Sequence, residues 1–308
     1  MRKLAEFNAS EFDDLRQLIG SDATIDQVVA RVQGDPAAVR AKIETALAES
    51  VQTLRVLAGT QVPDRARLLE VGAGLGVTAI LLSRSGFDVT ALEPSGPGFE
   101  DQQRLAEALA SIVGSDHQCL STGAELLDPK LHGTFDLIYS NNVLEHVGDP
   151  HATLAAMATV LAPDGLSIHS CPNYSVPFEP HFGIPLIPAR PQWTASFLPN
   201  RIRMGGLWQS LNFIRARDVD SAGRQARLHV VFRKGALASS LDRLVDDSEF
   251  RSRHRLIARL MPMLKATGVT TLVRRLPPRW STPMTFCLYH DGLAEDAADR
   301  WLLGELED

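Results

Sequence analysis

The chain of 308 residues holds 37 acids against 31 lysines and arginines, and 44% of it is apolar. That suffices for one large domain or two modest ones, and no apolar run approaches the roughly eighteen residues a membrane span needs. Charge is uneven: residues 1–180 hold 24 acids and 12 Lys/Arg, residues 181–308 hold 13 acids and 19 Lys/Arg, so the two parts are expected to do different electrostatic work.

The opening stretch MRKLAEFNASEFDDL has two basic residues but no apolar segment behind them. It does not read as a secretory signal, and a cytoplasmic location is expected. Residues 1–60 read as a helical segment. Ser21-Asp22 supplies one cap, and Asp35-Pro36 opens another helix in cap-then-proline order. Val39, Ile43, Ala46, Leu47, Leu54 and Leu57 then recur at helical spacing until Gly59. Residues 61–172 alternate short apolar strands (RLLEVG, DVTALEP, HQCLST, FDLIYSNNVLEH, GLSIHSCP) with helices, which implies a parallel sheet covered on both faces. Residues 173–213 are rich in proline and aromatics, and the prolines exclude a regular helix or central strand, so this segment is expected to be a lid over the acceptor site. Residues 214–308 return to the core sheet. They carry a helix (215–225), the strand LHVVFRK, a basic helical insertion (236–280), a strand at 283–290 and an acidic C-terminal helix. Cys119, Cys171 and Cys287 lie far apart in strand-like segments, the pattern of reduced core thiols.

LLEVGAGLG carries the chemistry. A strand runs into Gly72-Ala73-Gly74-Leu75-Gly76, and a helix follows at once. Glycines there allow a tight turn and let a ligand approach the backbone. Glu93 ends the second strand, where its carboxylate can accept hydrogen bonds from both ribose hydroxyls. Dinucleotide enzymes place a third glycine where Val77 stands, so a nicotinamide-dependent oxidoreductase is the weaker alternative. The acid just before the loop, Glu70, suits a cationic ligand such as the sulfonium and ammonium of S-adenosylmethionine.

The pattern E-x-G-x-G-x-G followed by Glu93-Pro94 resembles the class I S-adenosylmethionine-dependent methyltransferases. FDLIYSNNVLEHVGDP and LAPDGLSIHSCPN are similar to the fourth- and fifth-strand motifs of its quinone-biosynthesis O-methyltransferase subgroup. The resemblance covers roughly residues 60–172. It implies a Rossmann-like, doubly wound α/β fold: a seven-stranded sheet with an antiparallel last strand, N-terminal helices and a helical and loop cap. It implies that Glu70, Gly72, Gly74 and Gly76 serve the methionine and ribose end of the cofactor. Glu93 would hold the ribose hydroxyls, Pro94 and Ser95 the adenine side, Gly123, Ala124 and Glu125 the adenine ring, and Asn141 the methionine. The usual aspartate is absent at Gly123. In the quinone subgroup E-x-x-E-H can hold a divalent metal; here Asn142 replaces the first acid, and no metal is expected.

If the acceptor is a hydroxyl, a base assists methyl transfer. His146 and His181 are the candidate catalytic residues, and His169 reads as a core residue. Tyr174, Phe178, Phe182, Trp193 and Phe197 read either as an apolar wall for the acceptor or as anchors for the lid. The acceptor is expected to be a small molecule or a glycan- or lipid-linked group, phosphorylated if the eight basic residues from Arg251 to Trp280 serve it. The same block suits peripheral membrane contact, and no nucleic-acid-binding pattern is present. A binding protein that retains the cofactor without turnover is the non-enzymatic alternative.

Overall fold

The computed structural model describes residues 2–4, 9–94, 100–237, 241, 251, 255–268, 270, 273, 276–292 and 294–303. Seven strands form the main sheet: β1 (Arg67–Val71), β2 (Asp88–Leu92), β3 (Gln118–Leu120), β4 (Phe135–Asn141), β5 (Leu161–Cys171), β6 (His229–Phe232) and β7 (Met284–Tyr289). Their order is β6-β7-β5-β4-β1-β2-β3. The sheet is mixed, parallel over β1 to β4 and antiparallel at its last strands, so the Rossmann-like α/β fold and the closing strand expected at 283–290 are both present. The chain separates into two compact units, residues 1–141, 153–168 and 288–308, and residues 142–152 and 169–287.

In the first unit β1 is central, and Leu68, Leu69 and Val71 are all buried, as a strand covered on both faces requires. Parallel register sets Glu70 opposite Ala91 and Tyr139, and Val71 opposite Leu92. Helices α1 (Ala9–Gly20), α2 (Asp22–Val32) and α3 (Pro36–Leu57) precede the sheet; α4 (Val77–Arg84) follows β1, and α5 (Glu100–Val113) follows β2. The caps read from sequence are made: the Ser21 hydroxyl accepts from Thr24 N at 3.2 Å and the Asp35 carboxylate from Ala38 N at 2.8 Å. The apolar stripes of the N-terminal helices, Ile19, Ile25, Val28, Val39 and Ile43, form one core with Ile80 and Leu81 of α4 and Leu105 and Leu109 of α5. Helix α6 (Pro150–Thr159) leads into β5, and the C-terminal helix presents the fully buried Trp301, whose Nε1 donates to the Val56 carbonyl at 3.0 Å.

From Phe178 to Ser210 the second unit is built of short elements. Phe178–Glu179 and Ile184–Pro185 pair antiparallel, then a 3-10 turn (Pro191–Phe197) and two single-turn helices (Asn200–Arg203, Gly206–Ser210) follow. Pro191 and Pro199 stand at helix starts, the places where a missing N–H costs nothing. Tyr174, Leu186, Trp208 and Leu211 are the core of this cap, with Phe182, Leu198, Ile202 and Phe213 packed against them. Tyr174 and Phe182 are therefore anchors of the loop, whereas Trp193 (56% exposed) and Phe197 (80%) are not. Helix α7 (Ala216–Ala226) fulfils the helix expected at 215–225.

Asn173 joins these pieces. Its side-chain amide donates to the Arg279 carbonyl at 2.8 Å and the Ser281 carbonyl at 3.0 Å, and its oxygen accepts from Ser175 N and Ala216 N. The residue is fully buried, so each partner would be stranded without it. Asn173→Ala is expected to cost at least about 2 kcal/mol; a urea midpoint equal to the parent's would show that the four bonds are replaceable.

Candidate active site

The glycine-rich turn is built by backbone conformation. Gly72, Gly74 and Gly76 have φ of 72°, 58° and 68°, the left-handed region where a side chain is strained. Gly72 N and Ala73 N both donate to the Leu92 carbonyl, at 2.8 and 3.1 Å, which fastens the turn to the end of β2. A Cβ on Gly74 would meet nothing closer than the Gln102 amide at 3.8 Å, so the loop backbone opens onto a crevice. Gly74, Gly76, Glu93, Pro94, His117 and Cys119 line that crevice. Cys119 is exposed there, not a core thiol: β3 is the edge strand, and only Cys171 and Cys287 are buried.

Glu93 stands where the sequence placed it. One carboxylate oxygen accepts from Gly74 N at 2.9 Å and the other from the Gln102 amide at 3.3 Å. Burial pushes its pKa up, and the Gly74 N–H pulls it partly back. Glu70 is different. Its carboxylate is buried beneath the start of α4, accepting from Ala79 N at 2.9 Å, with the Thr78 and Tyr139 hydroxyls beside it. Burial dominates those bonds and raises its pKa to about 8.

After β3, Gly123 precedes a 3-10 turn, Ala124–Leu126. The Glu125 side chain folds back over Gly123, so that a Cβ there would meet its carboxylate. The carboxylate missing at 123 is thus present in space, carried by residue 125. Asn141, at the end of β4, donates its amide to the Thr53 hydroxyl of α3 at 3.4 Å. Ser95 lies outside the described residues.

In the second unit, β4's sequence continues into Asn142–Val147. Asn142 has φ 55°, a left-handed conformation that asparagine tolerates better than most residues. Asn212 straps this loop: its backbone N–H donates to the Glu145 carbonyl at 2.9 Å, and its amide to Leu144 and Val147 carbonyls at 2.7 and 2.9 Å. The Glu145 carboxylate is fully buried, and neither oxygen has a hydrogen-bond partner among the described residues. His181 Nε2 lies 3.7 Å and His146 Nε2 3.8 Å from its Oε1. The two candidate histidines are therefore brought together, ring centroids 5.4 Å apart.

Each imidazole is oriented through Nδ1. His181 Nδ1 lies 2.6 Å from Glu179 Oε1, and Glu179 also accepts from the Tyr174 hydroxyl at 3.2 Å and Phe182 N at 2.8 Å. A carboxylate only accepts, so Nδ1 is the donor, and in the neutral ring Nε2 carries the lone pair. His146 Nδ1 lies 2.8 Å from the Ser210 oxygen, whose proton goes to the Leu207 carbonyl at 3.0 Å; His146 thus donates as well. Burial alone would raise Glu179, but the bond and charge of His181 and the backbone N–H groups bring it below the ordinary carboxylate value. Burial, eased by the His181 charge and reinforced by the Glu179 charge, raises Glu145 to about 7; burial and the His181 charge lower His146 to about 4. Donor atoms of Glu145, His146 and His181 lie within 4.8 Å of one another, close enough to share one cation. His181 thus supplies the third group that Asn142 does not.

His169 is a core residue as expected, fully buried against Phe286, its pKa lowered by burial to about 3. Glu179, Ser210, Asn212 and the crevice residue His117 were not singled out in sequence. Of the basic block, Arg253, Arg274 and Arg275 lie outside the described residues, Arg259 and Lys265 are exposed, and Arg279 is paired with Asp220 at 3.0 Å.

Fold and turn define a class I, S-adenosylmethionine-binding architecture. The profile of the methyltransferase-domain family matches residues 39–231. The chain belongs to that family: it is an S-adenosylmethionine-dependent methyltransferase. It is 34% identical over 202 residues to an uncharacterized protein of Mycobacterium tuberculosis, covering 63% of this chain and 68% of that one. It is 36% identical over 102 residues to a ubiquinone biosynthesis O-methyltransferase of Caulobacter, covering 33% of this chain but only 39% of the relative. Among solved structures, the cyclopropane synthase MmaA2 of Mycobacterium tuberculosis is similar in fold, with TM-score 0.50 and 17% identity over 86% of this chain and 96% of that one. No helix among the described residues is long and apolar enough to cross a membrane.

Glu70 makes the first unit's stability depend on pH. Its folded pKa, about 8, stands above the ordinary 4.5, so the folded chain holds the extra proton between those values. The contribution is complete below about pH 4.5 and is lost as pH rises through about 8. Glu70→Gln keeps an oxygen for Ala79 and removes the titration. Urea midpoints measured across this range should fall more steeply for the parent than for the variant; parallel curves would assign the pH dependence elsewhere.

Proposed function

We propose that the enzyme methylates a hydroxyl oxygen on a small-molecule or glycan-type acceptor, with His181 as the base. The observation that carries this is the bond from His181 Nδ1 to Glu179, which in the neutral ring leaves Nε2 as the atom that takes a proton. The oxygen chemistry named for the Caulobacter relative supports it over the region the two share. A nicotinamide-dependent oxidoreductase is not favoured.

On the cofactor side, the open turn at Gly72–Gly76 fits the methionine and ribose, Glu93 accepts from the ribose hydroxyls, and Pro94 borders the adenine. Glu125 takes the part of the absent aspartate toward the adenine amino group. Glu70 acts through the turn it holds, since its carboxylate is committed to Ala79. Bound S-adenosylmethionine supplies an electrophilic methyl on a cationic sulfur. With it bound, His181 Nε2 would take the acceptor proton as the oxygen accepts the methyl group, and the displaced thioether would depart neutral with the electron pair of the broken bond. The bond to Glu179 holds the His181 ring in one orientation, which lowers the entropic cost of presenting Nε2 to a proton.

Glu93→Ala should weaken S-adenosylhomocysteine binding by about 1.5–3 kcal/mol, the worth of hydrogen bonds to a charged group; calorimetry giving the parent's affinity would show that the ribose is held elsewhere. For the acceptor, turnover of labelled S-adenosylmethionine against a panel of phenols, sugars and amines reads the methylated atom by mass spectrometry. His181→Ala is expected to lower kcat roughly 10²–10⁴-fold with the S-adenosylmethionine KM unchanged. Transfer to amines alone, or full turnover by the variant, overturns the reading. The grouping of Glu145, His146 and His181 favours a second reading, a divalent cation acting as Lewis acid on the acceptor oxygen. Loss of turnover on chelation, restored by the metal, would select it.

A further inference from the structure

We propose that the segment 190–207 of the cap docks on an anionic phospholipid surface. The segment has one inward and one outward side. Thr194 is buried, with Ala195, Leu198 and Ile202 packed toward the cap core of Tyr174, Leu186, Trp208 and Leu211. Trp193, Phe197, Met204 and Leu207 face away at 44–80% exposure. Four large apolar side chains exposed within fifteen residues exceed the scattered apolar exposure of an ordinary surface.

The charges within the segment itself have one sign. From Pro180 to Arg217 there is no acid, and Arg190, Arg201 and Arg203 carry the charge of the segment, whereas Arg215 and Arg217 are paired with Asp218. Arg190, Arg201 and Arg203 are exposed among the apolar residues, and the Arg190 guanidinium lies over the Trp193 ring at 4.7 Å. Tryptophan with arginine at its face is the pairing favoured at a headgroup boundary, where the ring enters the acyl edge and the cation meets phosphate. The partner must therefore be apolar beneath and anionic at its rim, and a bilayer containing acidic lipid is both. This surface lies outside the basic block at 251–280 and does not depend on which acceptor the enzyme uses.

The test is flotation of the purified full chain with phosphatidylcholine vesicles, with and without phosphatidylglycerol. The parent is expected to float with the acidic vesicles only and to be released at about 1 M salt, where screening shortens to about 3 Å. Trp193→Ser with Phe197→Ser, and separately Arg201→Glu with Arg203→Glu, should each weaken binding about tenfold or more. Both variants should keep the parent's circular dichroism and S-adenosylhomocysteine affinity, which separates lost docking from lost folding. No flotation of the parent, equal flotation with neutral vesicles, or variants that float like the parent would overturn the proposal. So would light scattering showing a parent dimer that the variants abolish, since the face would then join two copies.

Discussion

The bond from Ala79 N to the Glu70 carboxylate holds the first unit's site together. It joins the last residues of β1 to the first turn of α4 across the glycine-rich loop, so the loop has fixed ends. The two backbone donors from Gly72 and Ala73 to Leu92 then tie the same loop to β2. Glu93, one residue beyond Leu92, is thereby set against Gly74 without depending on its own rotamer alone. A buried carboxylic acid is an unusual fastening. It works here because the low-dielectric strand end favours the uncharged form, which has fewer hydrogen-bonding demands than an ion.

Much of this unit was legible in sequence because its determinants are local. The caps at Ser21 and Asp35, the left-handed glycines and the acid at the end of β2 are set by neighbours within a few residues. What Glu70 does was not legible. An acid before a glycine-rich turn reads as a partner for a cationic ligand, and only the packing of Tyr139 and α4 shows its carboxylate turned to the backbone. Cys119 was misread for a related reason: an apolar strand pattern does not say which strand lies at the edge.

The second unit was legible in its candidates but not in their arrangement. His146 and His181 stood out as residue types, yet their meeting depends on partners from other segments: Ser210 is 64 residues from His146, and Asn212 is 68 residues from Leu144. Glu179 is only two residues from His181, yet its bond to Nδ1 depends on the turn between them, which the residue types alone do not specify. The aromatics divided in a way that composition does not foretell, Tyr174 and Phe182 turning inward while Trp193 and Phe197 turn out.

The back-folded side chain at residue 125 couples two positions of the chain. Its terminal oxygens fill the volume that a β-carbon at residue 123 would claim. Those atoms are the far end of an exposed, flexible chain, so a side chain introduced at 123 displaces them by rotation at little cost. The bare position at 123 therefore permits the longer acid to lean over the turn, and filling it swings that acid outward.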